Sequence, residues 1–160
     1  MICDDPAGGK AMKILVIDDN APMRLLCRVN LELDRFEVLE AADGHEGIDL
    51  ARAELPDAIL LDLMLPTLDG WEVLDELQSD PRTEPIPVVL LSGVGDPDLR
   101  REALDLGALA MLSKPLDPTA LPELLRETIA RAAAGEAEAL RAEARERLAA
   151  ETAARRPDSV

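Results

Sequence analysis

Apolar residues in this chain gather in short runs, and four of these runs end abruptly on polar residues. Residues 13–17 (KILVI) lead into Asp18-Asp19 and 58–61 (AILL) into Asp62; 86–91 (IPVVLL) lead into Ser92-Gly93 and 109–112 (LAML) into Ser113-Lys114-Pro115. Runs this short, apolar throughout and separated by stretches of helical periodicity, predict parallel strands joined by right-handed crossovers. Residues 36–40 alternate as a further short strand. Asn20 is placed to cap a helix over 20–33, in which Met23, Leu26, Cys27, Asn30 and Leu31 recur at helical spacing. Residues 44–55 predict a second helix, stopped by Pro56, and 71–78 a third with Val73, Leu74 and Leu77 inward. Asp96-Pro97 begins a fourth helix that ends at Gly107, and Asp117-Pro118 begins a fifth. Between strand and helix, the segment MLPTLDG turns on Pro66, Asp69 and Gly70. Residues 79–85 form a polar connection, and Pro87 marks an edge or lead-in position of the fourth strand.

Alternating strands and helices of this kind give an α/β fold with a doubly wound, five-stranded parallel sheet, (βα)5 and flavodoxin-like. Its strand order, 2-1-3-4-5, is adopted from known folds of that class rather than deduced from the pattern. The carboxyl ends of all the strands then lie on one edge, where open α/β sheets hold their ligands. Asp18, Asp19, Asp62, Ser92 and Lys114 therefore converge. The chain divides into a flexible leader (1–12), a folded domain (13–130) and a tail (131–160) rich in Ala, Glu and Arg. In the tail, Leu140, Ala144 and Leu148 recur every four residues, and Glu and Arg fill the other faces. So thin a stripe predicts a solvated or frayed helix, with a partner or self-association helix as the alternative. The expected state is a monomer or weak dimer.

Charge narrows the partners. A net charge of −16 argues against nucleic acid, which needs a basic face. The aromatic residues are Phe36 and Trp71, so there are no platforms on which bases could stack. No apolar run approaches the roughly 20 residues of a membrane helix, and the acidic N-terminus is unlike a signal peptide. A cytoplasmic protein that binds other proteins is expected. Cys3 and Cys27 have no metal-ligand spacing, and a disulfide between them has little support in such a compartment. Cys27 reads as a small buried hydrophobe and His45 as an exposed residue.

Asp62 stands alone at a strand end, and a carboxylate there can attack a phosphoryl group to form an acyl phosphate. Asp18, Asp19 and Asp62 repel one another unless a cation joins them. Hard oxygen ligands with positions left for water and phosphate suit Mg²⁺. Lys114 offers a positive charge to a phosphoryl oxygen, and Ser92 a hydroxyl donor. Taken singly, each is commonplace, since an Asp at a strand end is often a turn or cap residue. Their coincidence at four strand ends, in this order, is not.

With Asp18-Asp19 after KILVI, Asp62 in LLDLMLPTLDG, Ser92-Gly93 after VVLL, and Lys114-Pro115, the chain resembles the receiver domain of bacterial response regulators. The likeness covers about residues 12–130 and is closest to stand-alone, chemotaxis-type members. It implies that Asp62 is the phosphoacceptor, supplied by a sensor histidine kinase or a phosphotransfer protein. It implies that Asp19, Asp62 and the carbonyl of Met64 ligate Mg²⁺ directly and that Asp18 acts mainly through a bound water. Ser92 would bind the phosphoryl group and move with it, Lys114 would pair with it, and the Lys114–Pro115 bond would be cis. Such a protein catalyses only its own phosphoryl transfer and dephosphorylation.

Two departures from the family stand out. Three residues before the Lys, the family usually has an aromatic residue whose rotation reports phosphorylation; here it is Met111, flexible and able to repack. After residue 130 about 30 residues remain, too few and too acidic for the DNA-binding output domain of many members. Met64 and Val94, beside the approach of hydrolytic water in the family, are both apolar, which predicts slow self-dephosphorylation; otherwise they only fill space and loop mobility sets the rate. The resulting expectation is a switch that changes which protein it binds, through the loop after Ser92 and the face of the fourth helix, fifth strand and fifth helix. One alternative is a relay intermediate that passes the phosphoryl group to a downstream His. Another is an aspartyl-phosphate phosphatase of the haloacid dehalogenase type, but those resemble a D-x-D motif after the first strand, and here the first-strand acids are adjacent. A phosphorylation-independent receiver would usually lack one of the site residues retained here.

Overall fold

The computed structural model describes residues 11–93, 97–114 and 116–155. Its five strands are β1 (Lys13–Ile17), β2 (Glu37–Ala41), β3 (Ala58–Asp62), β4 (Val88–Ser92) and β5 (Ala110–Ser113). All pairings are parallel, in the order β2-β1-β3-β4-β5. This is the expected doubly wound sheet. The continuous apolar runs are explained by its two covered faces: every residue of β3 and β4 is buried. Along each central strand, alternate side chains feed opposite layers. Leu15, Ile17, Ile59, Leu61 and Leu90 pack with α2 (Gly44–Glu54), α3 (Gly70–Ser79) and α4 (Pro97–Asp105). Ile14, Val16, Leu60 and Val89 pack with α1 (Ala21–Leu33) and α5 (Leu121–Ala133).

Helix starts are set by side-chain caps. Asn20, Asp43 and Asp69 each accept a hydrogen bond from the backbone N–H three residues on, at 2.9–3.0 Å, satisfying a donor the helix cannot. Asp117 caps a short 3-10 turn, Pro118–Ala120, that leads into α5. Several boundaries differ slightly from those expected. β2 begins at Glu37 rather than Phe36, and α2 ends at Glu54 with Leu55 in the left-handed region at φ 46°. β4 begins just after Pro87 and lies between β3 and β5, so Pro87 is a lead-in residue and not an edge residue. On α1, Cys27 and Leu31 are buried, whereas Leu26 is exposed together with Leu25, Val29 and Leu33. Burial pushes the free Cys27 thiol up to about 11, as expected of a cysteine that serves as a hydrophobe. His45 is exposed as read. Cys3, Asp96 and the leader up to residue 10 lie outside the described residues.

The tail overturns the expectation of a solvated helix. After α5, Gly135 takes φ +83° and Glu136 N–H donates to the Arg131 carbonyl at 2.9 Å, a left-handed turn that reverses the chain. Helix α6 (Ala137–Arg155) then runs back across α4 and β5. Leu140, Ala144 and Leu148 are all buried, the last two within the same apolar layer as α4. Ion pairs flank the stripe: Arg145 to Asp105 at 2.8 Å and Arg131 to Glu143 at 2.5 Å. A narrow stripe suffices here because the arginine stems flank it and their heads reach acidic partners.

Because Leu148 is buried, Leu148→Ala is expected to cost about 2–4 kcal/mol of stability in urea unfolding. Arg147→Ala, on the exposed face, should change it by less than about 0.5 kcal/mol. Equal, small effects would mean that α6 is solvated after all.

Candidate phosphorylation site and magnesium centre

The carboxyl ends of β1, β3, β4 and β5 meet at one edge, and each supplies a polar residue there. Asp18 follows β1 directly; its N–H donates to the Ala41 carbonyl at 3.1 Å, which extends the ladder by one residue and anchors it. Its side chain is fully buried, and Oδ1 accepts from Asn20 N–H at 2.9 Å. Asp19 is exposed beside it. Asp62, the last residue of β3, is buried, and its Oδ1 accepts from Met64 N–H at 3.0 Å. The Lys114 ammonium lies 3.2 Å from Asp62 Oδ2 and 3.3 Å from Asp18 Oδ2. Ser92 is buried at the end of β4, in register with Ser113, and its carbonyl accepts from Lys114 N–H at 2.9 Å. The structure thus brings the side chains of Asp18, Asp19, Asp62 and Lys114 together and sets Ser92 at the neighbouring strand end. Met64 begins the loop beside them with its side chain largely exposed. Val94 and Pro115 lie outside the described residues, and with them the expected cis bond.

Gly70, read from the sequence only as a turn residue, has a stricter role here, and two further residues, Arg24 and Arg100, escaped the sequence reading. A Cβ on Gly70 would lie 2.4 Å from Leu63 Cα and 2.6 Å from the Asp62 carbonyl, so only glycine lets the loop close against the end of β3. Arg24 donates to the Asp18 carbonyl at 2.6 Å while pairing with Glu40, bracing the acidic loop from α1. Arg100 on α4 is buried, with Nε donating to Met111 Sδ and Nη2 to Ser113 Oγ, both at 3.0 Å. The signal for Arg100 was available: it occupies the apolar stripe of its helix, one turn before Ala103 and Leu104.

Carboxylate oxygens of Asp18, Asp19 and Asp62 all lie within 4.8 Å of one another. Lys114 supplies one positive charge against these three, of which Asp18 and Asp62 are buried and Asp19 is exposed, so the cluster is left with an excess of negative charge. Burial raises the Asp62 carboxyl above its ordinary value; Asp18 adds to this, and the Met64 N–H and Lys114 oppose it. Burial works against the Lys114 ammonium, but Asp62 and Asp18 outweigh it and hold its pKa up. A hard divalent cation fits this donor set and relieves the repulsion.

The family model of the response regulator receiver domain matches residues 14–126. The chain belongs to this family. It is 42% identical over 105 residues to the DNA-binding dual master transcriptional regulator RpaA of Synechocystis, covering 66% of this chain and 44% of that protein. To the response regulator PleD of Caulobacter vibrioides it is 42% identical over 110 residues, 68% of this chain and 24% of PleD. The chain spans about half the length, or less, of such curated relatives. A receiver domain from Clostridium thermocellum superposes with a TM-score of 0.69 at 32% identity, covering 75% of this chain and 95% of that one. The chemotaxis protein CheY4 of Vibrio cholerae gives a TM-score of 0.69 at 27% identity, covering 74% and 98%. The chain is a receiver domain of the kind found in response regulators, and its Asp18, Asp19 and Asp62 form an acidic cluster suited to Mg²⁺. Receivers of this kind catalyse only their own phosphorylation and dephosphorylation. No helix among the described residues is long and apolar enough to cross a membrane.

Raising a carboxyl pKa on folding favours the folded state at low pH, and that gain is lost as pH climbs through the raised value. The metal-free receiver is therefore expected to be less stable at pH 7 than its Asp62→Asn variant. Mg²⁺ at a hundredfold excess over its Kd should stabilise the wild type by about 2.7 kcal/mol and the variant by much less. Calorimetry from pH 8 downward should show Mg²⁺ affinity weakening before the ordinary carboxylate range near about 3.9 is reached. Affinity constant to pH 4 would contradict the raised Asp62 carboxyl.

Proposed function

We propose that Asp62 accepts a phosphoryl group from a sensor histidine kinase or a phosphotransfer protein, and that the phosphorylated receiver then changes which protein it binds. The observation that supports this most directly is the Lys114 ammonium shared between Asp62 and Asp18. In the transfer, an Asp62 oxygen attacks phosphorus as the bond from phosphorus to the donor's imidazole nitrogen breaks. The imidazole leaves with that electron pair, and no other co-reactant is consumed. Asp19, Asp62 and the Met64 carbonyl would hold Mg²⁺ directly and Asp18 through a water; the bound ion supplies charge neutralisation to the phosphoryl oxygens. Lys114 moves its pairing from Asp18 toward a phosphoryl oxygen, and the Ser92 hydroxyl donates to another. Each group is held by the strand end before the phosphoryl arrives, so little reorganisation is required.

The strong negative charge supports protein partners over nucleic acid, and a cytoplasmic setting where such kinases present their phosphohistidine. The side chain of Met64, two residues past the phosphoacceptor, is apolar with at most a weakly accepting sulfur and is poorly suited to orient water, so the acyl phosphate is expected to be long-lived.

Incubation with acetyl phosphate and Mg²⁺ should add one base-labile phosphoryl group, read by intact mass. Asp62→Asn should abolish the addition, since an amide is not a nucleophile of this kind. Undiminished labelling of that variant would reassign the phosphoacceptor. A Met64→Asn variant, with Mg²⁺ saturating, should lose its phosphoryl group faster than the wild type. An equal or slower decay would reject Met64 as the brake on hydrolysis.

A further inference from the structure

The face of α4 and β5, through which phosphorylation is expected to act, is not open in this protein. It carries α6. Arg100 joins the two. Its guanidinium holds Met111 and Ser113 of β5 at 3.0 Å each, and its Nη2 lies 3.4 Å from Glu151 Oε2 of α6. Met111 stands at the position where the family usually has its switch aromatic. Ser113 is the register partner of Ser92 and the chain neighbour of Lys114. From Asp62 through Lys114, Ser113 and Arg100 to Glu151, side chains and one covalent link form an unbroken line from the site to the tail.

Three features make α6 a removable occupant. Its hold rests on a short stripe of Leu140, Ala144 and Leu148, on the ion pairs of Arg145 with Asp105 and Arg131 with Glu143, and on the pairing of Glu151 with the buried Arg100. Its connection to α5 turns on Gly135, which takes φ +83° with nothing within 4 Å of where a Cβ would stand, so no packed side chain pins the turn itself. Its Ala-, Glu- and Arg-rich sequence is helical by propensity, so release need not unfold it. Glu151 is the countercharge of an arginine that is otherwise buried, and moving that arginine uncouples the pair.

We propose that α6 is a regulatory strap: it occupies the α4–β5 face while Asp62 is unmodified and is released when Asp62 is phosphorylated, with Arg100 as the residue that ties its hold to the site. The proposal rests on the phosphorylation reading above. Drawing Ser92 and Lys114 toward a phosphoryl group shifts Ser113 beneath Arg100. Arg100 then no longer spans Met111, Ser113 and Glu151 together. The freed face and the freed apolar stripe both become available to a protein partner.

The experiment is hydrogen exchange on the full chain with Mg²⁺ alone and with Mg²⁺ plus beryllofluoride, read separately for residues 60–66 and 140–152. The expected result is protection at 60–66 together with exchange at 140–152 about tenfold faster or more. Reciprocity adds a second reading: if beryllofluoride loosens α6, loosening α6 must tighten beryllofluoride. Glu151→Gln, far from the site, should tighten beryllofluoride by about fivefold, followed by Trp71 emission. Trp71 is a suitable reporter because its Nε1 donates to the Leu99 carbonyl of α4 at 3.0 Å, next to Arg100. Arg100→Lys keeps a charge for Glu151 but lacks the fork that spans Met111 and Ser113, so it should keep α6 in place and blunt its release. Protection at 60–66 with unchanged exchange at 140–152 and unchanged affinity in Glu151→Gln would overturn the strap and make α6 a fixed part of the core. Wild-type release in Arg100→Lys would overturn the role of Arg100. No change in either segment would instead refute the phosphorylation reading, and the strap with it.

Discussion

One ammonium group holds the functional edge of this receiver together. Lys114, after β5, reaches Asp62 at the end of β3 and Asp18 after β1, residues 52 and 96 positions away in the chain. Without it, buried carboxylates from two strands would face each other with no compensation, which a low-dielectric site tolerates poorly. With it, the edge is still short of positive charge. That shortfall is the useful feature, because it leaves a place for a divalent cation and lets the Lys114 pairing be redirected. The same imbalance that strains the unliganded site prepares it for Mg²⁺ and a phosphoryl group.

Everything else in the fold serves to keep that edge in register. Parallel pairing aligns the strand ends, and the Asp18 N–H bond to Ala41 extends β1 far enough to present its acid. The loop after Asp62 is pulled tight by Gly70 N–H donating to the Leu63 carbonyl at 2.9 Å, with Asp69 capping the helix that follows. These are local constraints with a site-wide effect, since Asp62 cannot shift without moving the start of α3. On the other side, Arg100 carries β5 into contact with α4 and α6, so the edge is mechanically continuous with the tail.

Where the family usually places an aromatic ring that turns in or out, this chain has Met111 with a buried arginine against its sulfur. A flexible thioether has no two-state flip of its own. The guanidinium is different, because its several donors are satisfied together only in one arrangement of β5 and α6, so a shift of either breaks a contact outright. Bistability can therefore sit in the polar contact rather than in a rotamer. The exposed apolar residues Leu25, Val29 and Leu33 on α1 lie on the opposite layer, away from this device.

What the sequence determined by itself was the part governed by short-range order. Continuous apolar runs leading into Asp62, Ser92 and Ser113-Lys114, separated by helical stretches, read as buried strands with their polar ends at an edge, and Asn20 brings its own capping chemistry. The strand order had to be taken from known folds, because side-chain patterns do not encode which strands are neighbours. Which acid was buried could not be read from Asp18-Asp19, since the two are chemically identical and only the extended β1–β2 ladder separates them. The tail was misread for a related reason. Leu140, Ala144 and Leu148 make a weak stripe on an isolated helix, and its burial depends on the surface of α4 and β5 and on acidic and basic partners tens of residues away. Arg100 shows the same limit: an arginine in an apolar stripe is legible as an oddity, but its contacts with Met111, Ser113 and Glu151 exist only once three elements have packed, because desolvation and pairing are properties of the assembled surroundings and not of the residue.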